Sequence, residues 1–157
     1  MSASNKYTPE GYRSVTPSLS FKNTMKAIEF YKKALDAKAL TVFPSPDGKS
    51  TMHATIQIGD SILMMGDEMK YKSAESLGSS PVSFFIYVPD SDASFKHAVD
   101  AGCKVGMPIE DQFWGDRCGL VIDPFGYSWM IASRKHELSH EEVRKNAEAF
   151  FANARKQ

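Results

Sequence analysis

The sequence predicts an α+β protein made of two βαβββ units with an amphipathic helix after them. Three observations carry this. The stretch Phe113 to Ala132, FWGDRCGLVIDPFGYSWMIA, holds two apolar runs, Gly119 to Ile122 and Tyr127 to Ala132, joined by Asp123-Pro124-Phe125-Gly126, the pattern of a β-hairpin. The order strand, helix, strand, strand, strand occurs twice, displaced by about 67 residues. Beyond the repeat, Ser139 and Glu142 form an S-x-x-E capping box ahead of Val143, Ala147, Phe150 and Ala154, which recur on one helical face.

In chain order, residues 1 to 12 are polar without periodicity and read as an arm. Val15 to Phe21 reads as a strand, and Asn23 or Thr24 can cap the helix that follows. Ala27, Ile28, Tyr31 and Leu35 recur at steps of three and four, so a helix from Met25 to Leu35 has one apolar face. Leu40 to Phe43 is a short strand before the Pro44 to Gly48 turn. Thr51 to Ile58 and Ser61 to Met65 are strands joined by Gly59-Asp60, a hairpin signal. Lys70 to Ser80 is polar and Ser-rich and reads as a linker.

The same order then returns. Val82 to Val88 is an almost unbroken apolar strand, and Asp90 or Asp92 caps a helix whose apolar face is Phe95, Ala98 and Val99 and which ends at Gly102. Lys104 to Met107 is a strand, and the hairpin supplies the last two. The boundaries that follow are an arm at 1–12, a domain at 13–135 made of units 13–69 and 81–135, and a C-terminal helix at 136–157.

Within the hairpin Pro124 presets φ, Asp123 can accept from turn amides, and Gly126 can take a positive φ that a Cβ would resist. The loop entering it, Trp114-Gly115-Asp116-Arg117, admits two readings. A guanidinium beside an indole can clamp a carboxylate-bearing substrate; equally, Asp116, Arg117 and Asp123 can pin the loop to the turn.

Composition excludes several classes. With 42% hydrophobic and 24% charged residues the chain has the balance of a globular protein able to bury a core. Nineteen basic against nineteen acidic residues leave no net field, so neither nucleic acid nor an anionic membrane is an expected partner. No signal-like or membrane-spanning run is found, which makes a cytoplasmic location the expectation. Cys103 and Cys118 are not a CxxC pair and are expected to be small buried hydrophobes.

W-G-D-R followed by G-x-x-x-D-P-F-G and an aromatic strand resembles the closing hairpin of the vicinal-oxygen-chelate superfamily, which includes glyoxalase I, bleomycin-resistance proteins and extradiol dioxygenases. Within it the pattern is similar to the PhnB-like branch, often labelled demethylubiquinone-methyltransferase-like. Ser20 to Leu35, His53 to Met65 and Val82 to Gly102 carry the rest of the likeness, which spans about Ser14 to Lys135. The resemblance implies curved mixed sheets around a cleft that holds the active or binding site. It also implies pairing of subunits, and a homodimer is expected, the final helix being a candidate contact.

Metal-using members of the superfamily place His or Glu at equivalent points of the first and last strands of each unit. Alignment on the resemblance puts Thr16, Met64, Ser83 and Met130 at those points. Hydroxyls and thioethers are poor ligands for hard or borderline divalent ions, so no metal ligand and no cofactor is assigned. His53 lies in an inner strand, where it can orient a ligand or simply make an ordinary surface hydrogen bond. His97, His136 and His140 form no cluster.

The candidate ligand-binding residues are Met64, Phe85, Phe113, Trp114, Arg117, Met130 and His53, with Phe43 at a rim. Such soft and aromatic side chains suit a planar or aromatic small organic ligand, although each taken singly is as readily ordinary core. No catalytic residue is assigned. The leading expectation is a metal-independent small-molecule binding protein. Set against it are a metal-dependent lyase or dioxygenase of the glyoxalase type, and a metal-free isomerase or transferase, the transferase lacking any Gly-rich nucleotide loop.

Overall fold

A computed structural model describes residues 7–155 of the chain. It divides into two compact units, one running up to Pro81 and taking in Phe125–Tyr127, the other holding Val82–Pro124 and the chain from Ser128 onward. Each unit carries one four-stranded mixed sheet.

The first unit opens with β1 (Ser18–Phe21), shorter than the Val15 to Phe21 expectation, and α1 (Thr24–Ala34). Asn23 caps α1 by accepting from the Lys26 N–H at 3.0 Å. Then come β2 (Lys38–Pro44), β3 (Thr51–Ile58) and β4 (Ser61–Asp67), in the spatial order β1-β4-β3-β2 with β1 parallel to β4. Ala27, Ile28, Tyr31 and Ala34 of the helix are buried along with Leu19, Phe21, Ala54, Ile56, Leu63 and Met65 of the sheet. Strand alternation therefore assigns one sheet face to the helix and leaves Ser18, Ser20, Thr41, His53, Thr55 and Met64 on the other.

Residues 70–80 are not wholly a linker. They contain a single turn, α2 (Ala74–Leu77), capped by Ser73. Four residues give no hydrophobic period, so only the S-A-E-S cap chemistry marked it.

The second unit repeats the order. β5 (Ser83–Tyr87) leads to α3 (Ser91–Ala101), with Asp90 accepting from the Ala93 N–H at 3.1 Å and Gly102 ending the helix. β6 (Lys104–Asp111) runs beyond the expected Met107. β7 (Asp116–Ile122) and β8 (Ser128–Arg134) complete the sheet, ordered β5-β8-β7-β6 with β5 parallel to β8. Asp116 and Arg117 thus belong to a strand, not to the loop before it. Gly119 is required here by packing, since a Cβ would lie 2.5 Å from Cε2 of Phe95 on α3.

The last element is α4 (His140–Ala154), closed by the Ser139/Glu142 capping box. None of its residues is fully buried. It is tied to the rest of its unit at Phe113, whose carbonyl accepts from Asn146 Nδ2 at 3.1 Å and whose ring lies 5.4 Å from Phe150 and 6.0 Å from Phe151. Among the described residues no helix is long and apolar enough to cross a membrane.

Candidate functional site

The closing hairpin contributes to both units. Its strands belong to the second, while the turn residues Phe125 and Tyr127 pack in the first. The Phe125 ring lies 5.6 Å from Phe21, 5.7 Å from Phe30 and 6.0 Å from Tyr31, and the Tyr127 hydroxyl donates to the Ser20 carbonyl at 2.8 Å. Asp123 is buried and accepts from Trp129 Nε1 at 2.9 Å. Gly126 has φ of +89°, as the turn chemistry demands.

In the second unit, the face of the sheet opposite α3 is apolar and aromatic. Register aligns Met107, Leu120, Met130 and Phe85 in one row across all four strands. The next row holds Glu110, Cys118, Ala132 and Tyr87. Phe85 is 49% and Tyr87 63% exposed, with ring centroids 6.2 Å apart and planes at 30°. Ala132 offers only a methyl, so the Tyr87 side chain can cross β8 and donate its hydroxyl to Asp116 Oδ2 at 2.9 Å. The same oxygen accepts from Trp114 Nε1 at 3.0 Å. Asp116 itself is 4% exposed. The hydrogen bond to this carboxylate, with burial and the carboxylate's charge behind it, raises the Tyr87 pKa above its usual value, so the phenol stays protonated.

Of the residues singled out in the sequence, Phe85 and Met130 are therefore neighbours, and Trp114 joins them through Asp116. Phe113 turns to α4. Arg117 lies on the opposite face of β7 from Cys118 and Leu120, where Nε and Nη2 grip Asp92 of α3 at 2.7 and 2.8 Å and Nη1 meets Asp111 at 3.1 Å. That fork ties β7 to α3 and β6, a pairing that neither reading of W-G-D-R named. Tyr87, Asp116, Leu120 and Met107 escaped the sequence reading. Alternation in Ser83-Phe84-Phe85-Ile86-Tyr87 is the available signal for Tyr87, while Asp116 reads from sequence as loop.

In the first unit the corresponding face is richer in hydroxyls. Ser18, Met64, Thr55 and Thr41 form a row, with the two threonine oxygens 2.7 Å apart. His53 is half-buried there, its ring stacked on Phe43 at 6.3 Å and 28°. Met64 and His53 thus share a face, Met64 opposite Thr55 and His53 opposite Phe43.

Met64 is paired with Ser18 and Met130 with Phe85, whereas Thr16 precedes β1 and hydrogen-bonds Arg13 O at 2.9 Å, and Ser83 pairs with Ser128. Neither the aligned positions Thr16, Met64, Ser83 and Met130 nor the register partners Ser18 and Phe85 offer imidazole, carboxylate or thiolate, and such a set does not fit a borderline divalent ion. Among the described residues no group of three or more His, Cys, Asp or Glu is placed to share a metal. Cys103 and Cys118 are free and buried; burial, then the Asp123 charge, pushes the Cys103 thiol up to about 12, and burial raises Cys118, so neither supplies a thiolate.

A family model described as the Glyoxalase/Bleomycin resistance protein/Dioxygenase superfamily matches residues 17–131. The chain belongs to this superfamily. An uncharacterised protein from Mycobacterium tuberculosis H37Rv is 38% identical over 135 residues, covering 82% of this chain and 79% of the other. A gene product of Arabidopsis thaliana has a solved structure with TM-score 0.62 and 25% identity, over 77% of this chain and 98% of that one. A PhnB protein from Bacillus cereus shares the fold with TM-score 0.60 and 15% identity, over 77% and 99% of the two chains. The superfamily fold thus stands on sequence and structure alike.

Proposed function

We propose that this superfamily member is a metal-independent binding protein for a small planar organic molecule, held against the open sheet faces. One observation carries the reading: Phe85, in a row with Met130, Leu120 and Met107, and Tyr87, in the row beside it, stand side by side with about half or more of each exposed. Aromatic faces stack and methionine adapts its shape, so such a surface favours flat apolar ligands. Met64, His53 and Phe43 give the first unit a smaller surface of the same kind with hydroxyls beside it.

Metal independence is supported by the chemistry of Ser18, Met64, Phe85 and Met130. Native mass spectrometry combined with elemental analysis of freshly purified protein tests both statements. Co-purified organic ligand without stoichiometric metal is the expected result. About one tightly held Ni, Zn, Mn or Fe per chain, with activity on a thiohemiacetal or catechol, would overturn it in favour of the glyoxalase-type alternative.

The same reading includes a two-fold homodimer in the cytoplasm. Exposed Phe150 and Phe151 on α4 support the first, because closed symmetry is the usual outcome for a self-complementary apolar patch. Two unpaired thiols are in keeping with the second. Light scattering at micromolar concentration decides the assembly: a mass near the 17.5 kDa of one chain refutes the dimer.

A further inference from the structure

We infer that Tyr87 acts as a hydrogen-bond acceptor that selects, among planar aromatic ligands, those carrying an O–H or N–H donor at their edge, and that Asp116 is the positioning residue that imposes this polarity. The inference rests on the binding reading above and narrows its ligand class.

The argument is one of proton inventory. A phenol has one proton to give and two lone pairs to receive. Asp116 accepts from both Tyr87 Oη and Trp114 Nε1 on one oxygen, and an indole N–H can only donate. A carboxylate so placed can take the phenol proton's hydrogen bond and has none to return. Among the described residues Asp116 is the only hydrogen-bond partner of Tyr87, which leaves the lone pairs of its oxygen unused on a side chain that is 63% exposed. The carboxylate is buried while the phenol ring is not, so the carboxylate is shielded and the phenol oxygen is what a ligand meets.

A flat ring laid against Phe85 and Tyr87 brings its edge substituents to that oxygen. A hydroxyl or amine there completes a bond, and its proton is drawn toward an oxygen made electron-rich by donation to a carboxylate. A carbonyl, ether or carboxylate at the same place faces lone pair against lone pair. Leaving a desolvated polar group unpaired is the stronger half of such discrimination.

The test compares 2-naphthol with 2-methoxynaphthalene, flat probes of similar size that differ in having or lacking the donor, by fluorescence titration of the full chain. The expected result is preference for 2-naphthol by roughly tenfold, the fold-change of one good neutral hydrogen bond. In Tyr87→Phe the ratio should fall to about one. In Asp116→Asn the amide can donate to the phenol and free it to donate in turn, so the ratio should fall because the methoxy probe gains. Phe85→Ala should weaken both probes alike. Equal affinities in the wild type, or a ratio unchanged by Tyr87→Phe, overturn the inference while leaving binding that is sensitive to Phe85→Ala intact. Absence of saturable binding by either probe, or indifference to Phe85→Ala, overturns the binding surface and the inference together. Near-UV circular dichroism establishes that each variant is folded, and Tyr87→Phe alone decides if Asp116→Asn is not.

Discussion

The hydroxyl of Tyr127 donates to the carbonyl oxygen of Ser20 at 2.8 Å, closing a contact between residues 107 apart in the chain. It joins the turn of the last hairpin to the first strand, whose register with β4 sets the Ser18 and Met64 pair. The turn is thus a packing element of the first unit as well as a connection within the second.

Substitutions in this turn should therefore act on stability. Gly126→Val should cost at least about 1 kcal/mol, since φ is +89° and a Cβ would lie 3.2 Å from the Ala74 Cβ and 3.3 Å from its carbonyl carbon. Tyr127→Phe should cost about 1 kcal/mol for the lost hydrogen bond. Urea unfolding midpoints measure both, and an unchanged midpoint for Gly126→Val would contradict the turn's role.

Trp129→Phe should be more severe. Trp129 is fully buried and its Nε1 meets Asp123, itself buried, at 2.9 Å. The change removes ring volume and a donor to a carboxylate, and a loss of roughly 3 kcal/mol is expected. Calorimetry reads this directly.

Acid should expose the contribution of Glu68. The Ser73 hydroxyl, then the Ser76 hydroxyl and the Ser73 N–H, hold its carboxyl down from 4.5 to about 2. A folded pKa below the unfolded one gives stability that is present above pH 4.5 and is lost as pH falls toward 2. The difference in thermal midpoint between wild type and Glu68→Gln should accordingly shrink across that window. A constant difference from pH 6 to 2 would remove Glu68 from this role.

Arg117 provides the opposite kind of control. Because its guanidinium grips Asp92 and Asp111 on the helix side of β7, Arg117→Gln should lower the thermal midpoint, less so in high salt, yet leave 2-naphthol affinity unaltered. Loss of affinity in a folded Arg117→Gln protein would restore the clamp.

Chelation should do nothing. If Ser18, Met64, Phe85 and Met130 occupy the positions where metal users keep their ligands, exhaustive dialysis against EDTA leaves both the thermal midpoint and probe binding unaltered. A lowered midpoint that recovers on adding Zn or Mn would reveal a bound ion.

The sequence by itself determined what depends on local chemistry and on repetition. The Asp123-Pro124-Phe125-Gly126 turn, the Ser139/Glu142 box, the helical faces of α1 and α3 and the hairpin at Gly59-Asp60 are each specified by residues within a few positions of one another. The twofold recurrence of that order supplied the architecture, and the W-G-D-R and G-x-x-x-D-P-F-G motifs carried the resemblance to the superfamily. Only the tertiary structure decided matters that turn on register and on which face a side chain takes. Pairing sets Ser18 beside Met64, and a register two residues away would have kept the same alternation, so nothing in the sequence could choose between them. Arg117 and Asp116 are adjacent in sequence yet point to opposite faces, one to the helix and one to Tyr87. That division follows from the pleat of β7, whose start at Asp116 was invisible while Trp114-Gly115-Asp116-Arg117 read as a loop. The Tyr87, Asp116 and Trp114 network needs three residues brought together by pairing across β8, and pairing is a property of the folded sheet.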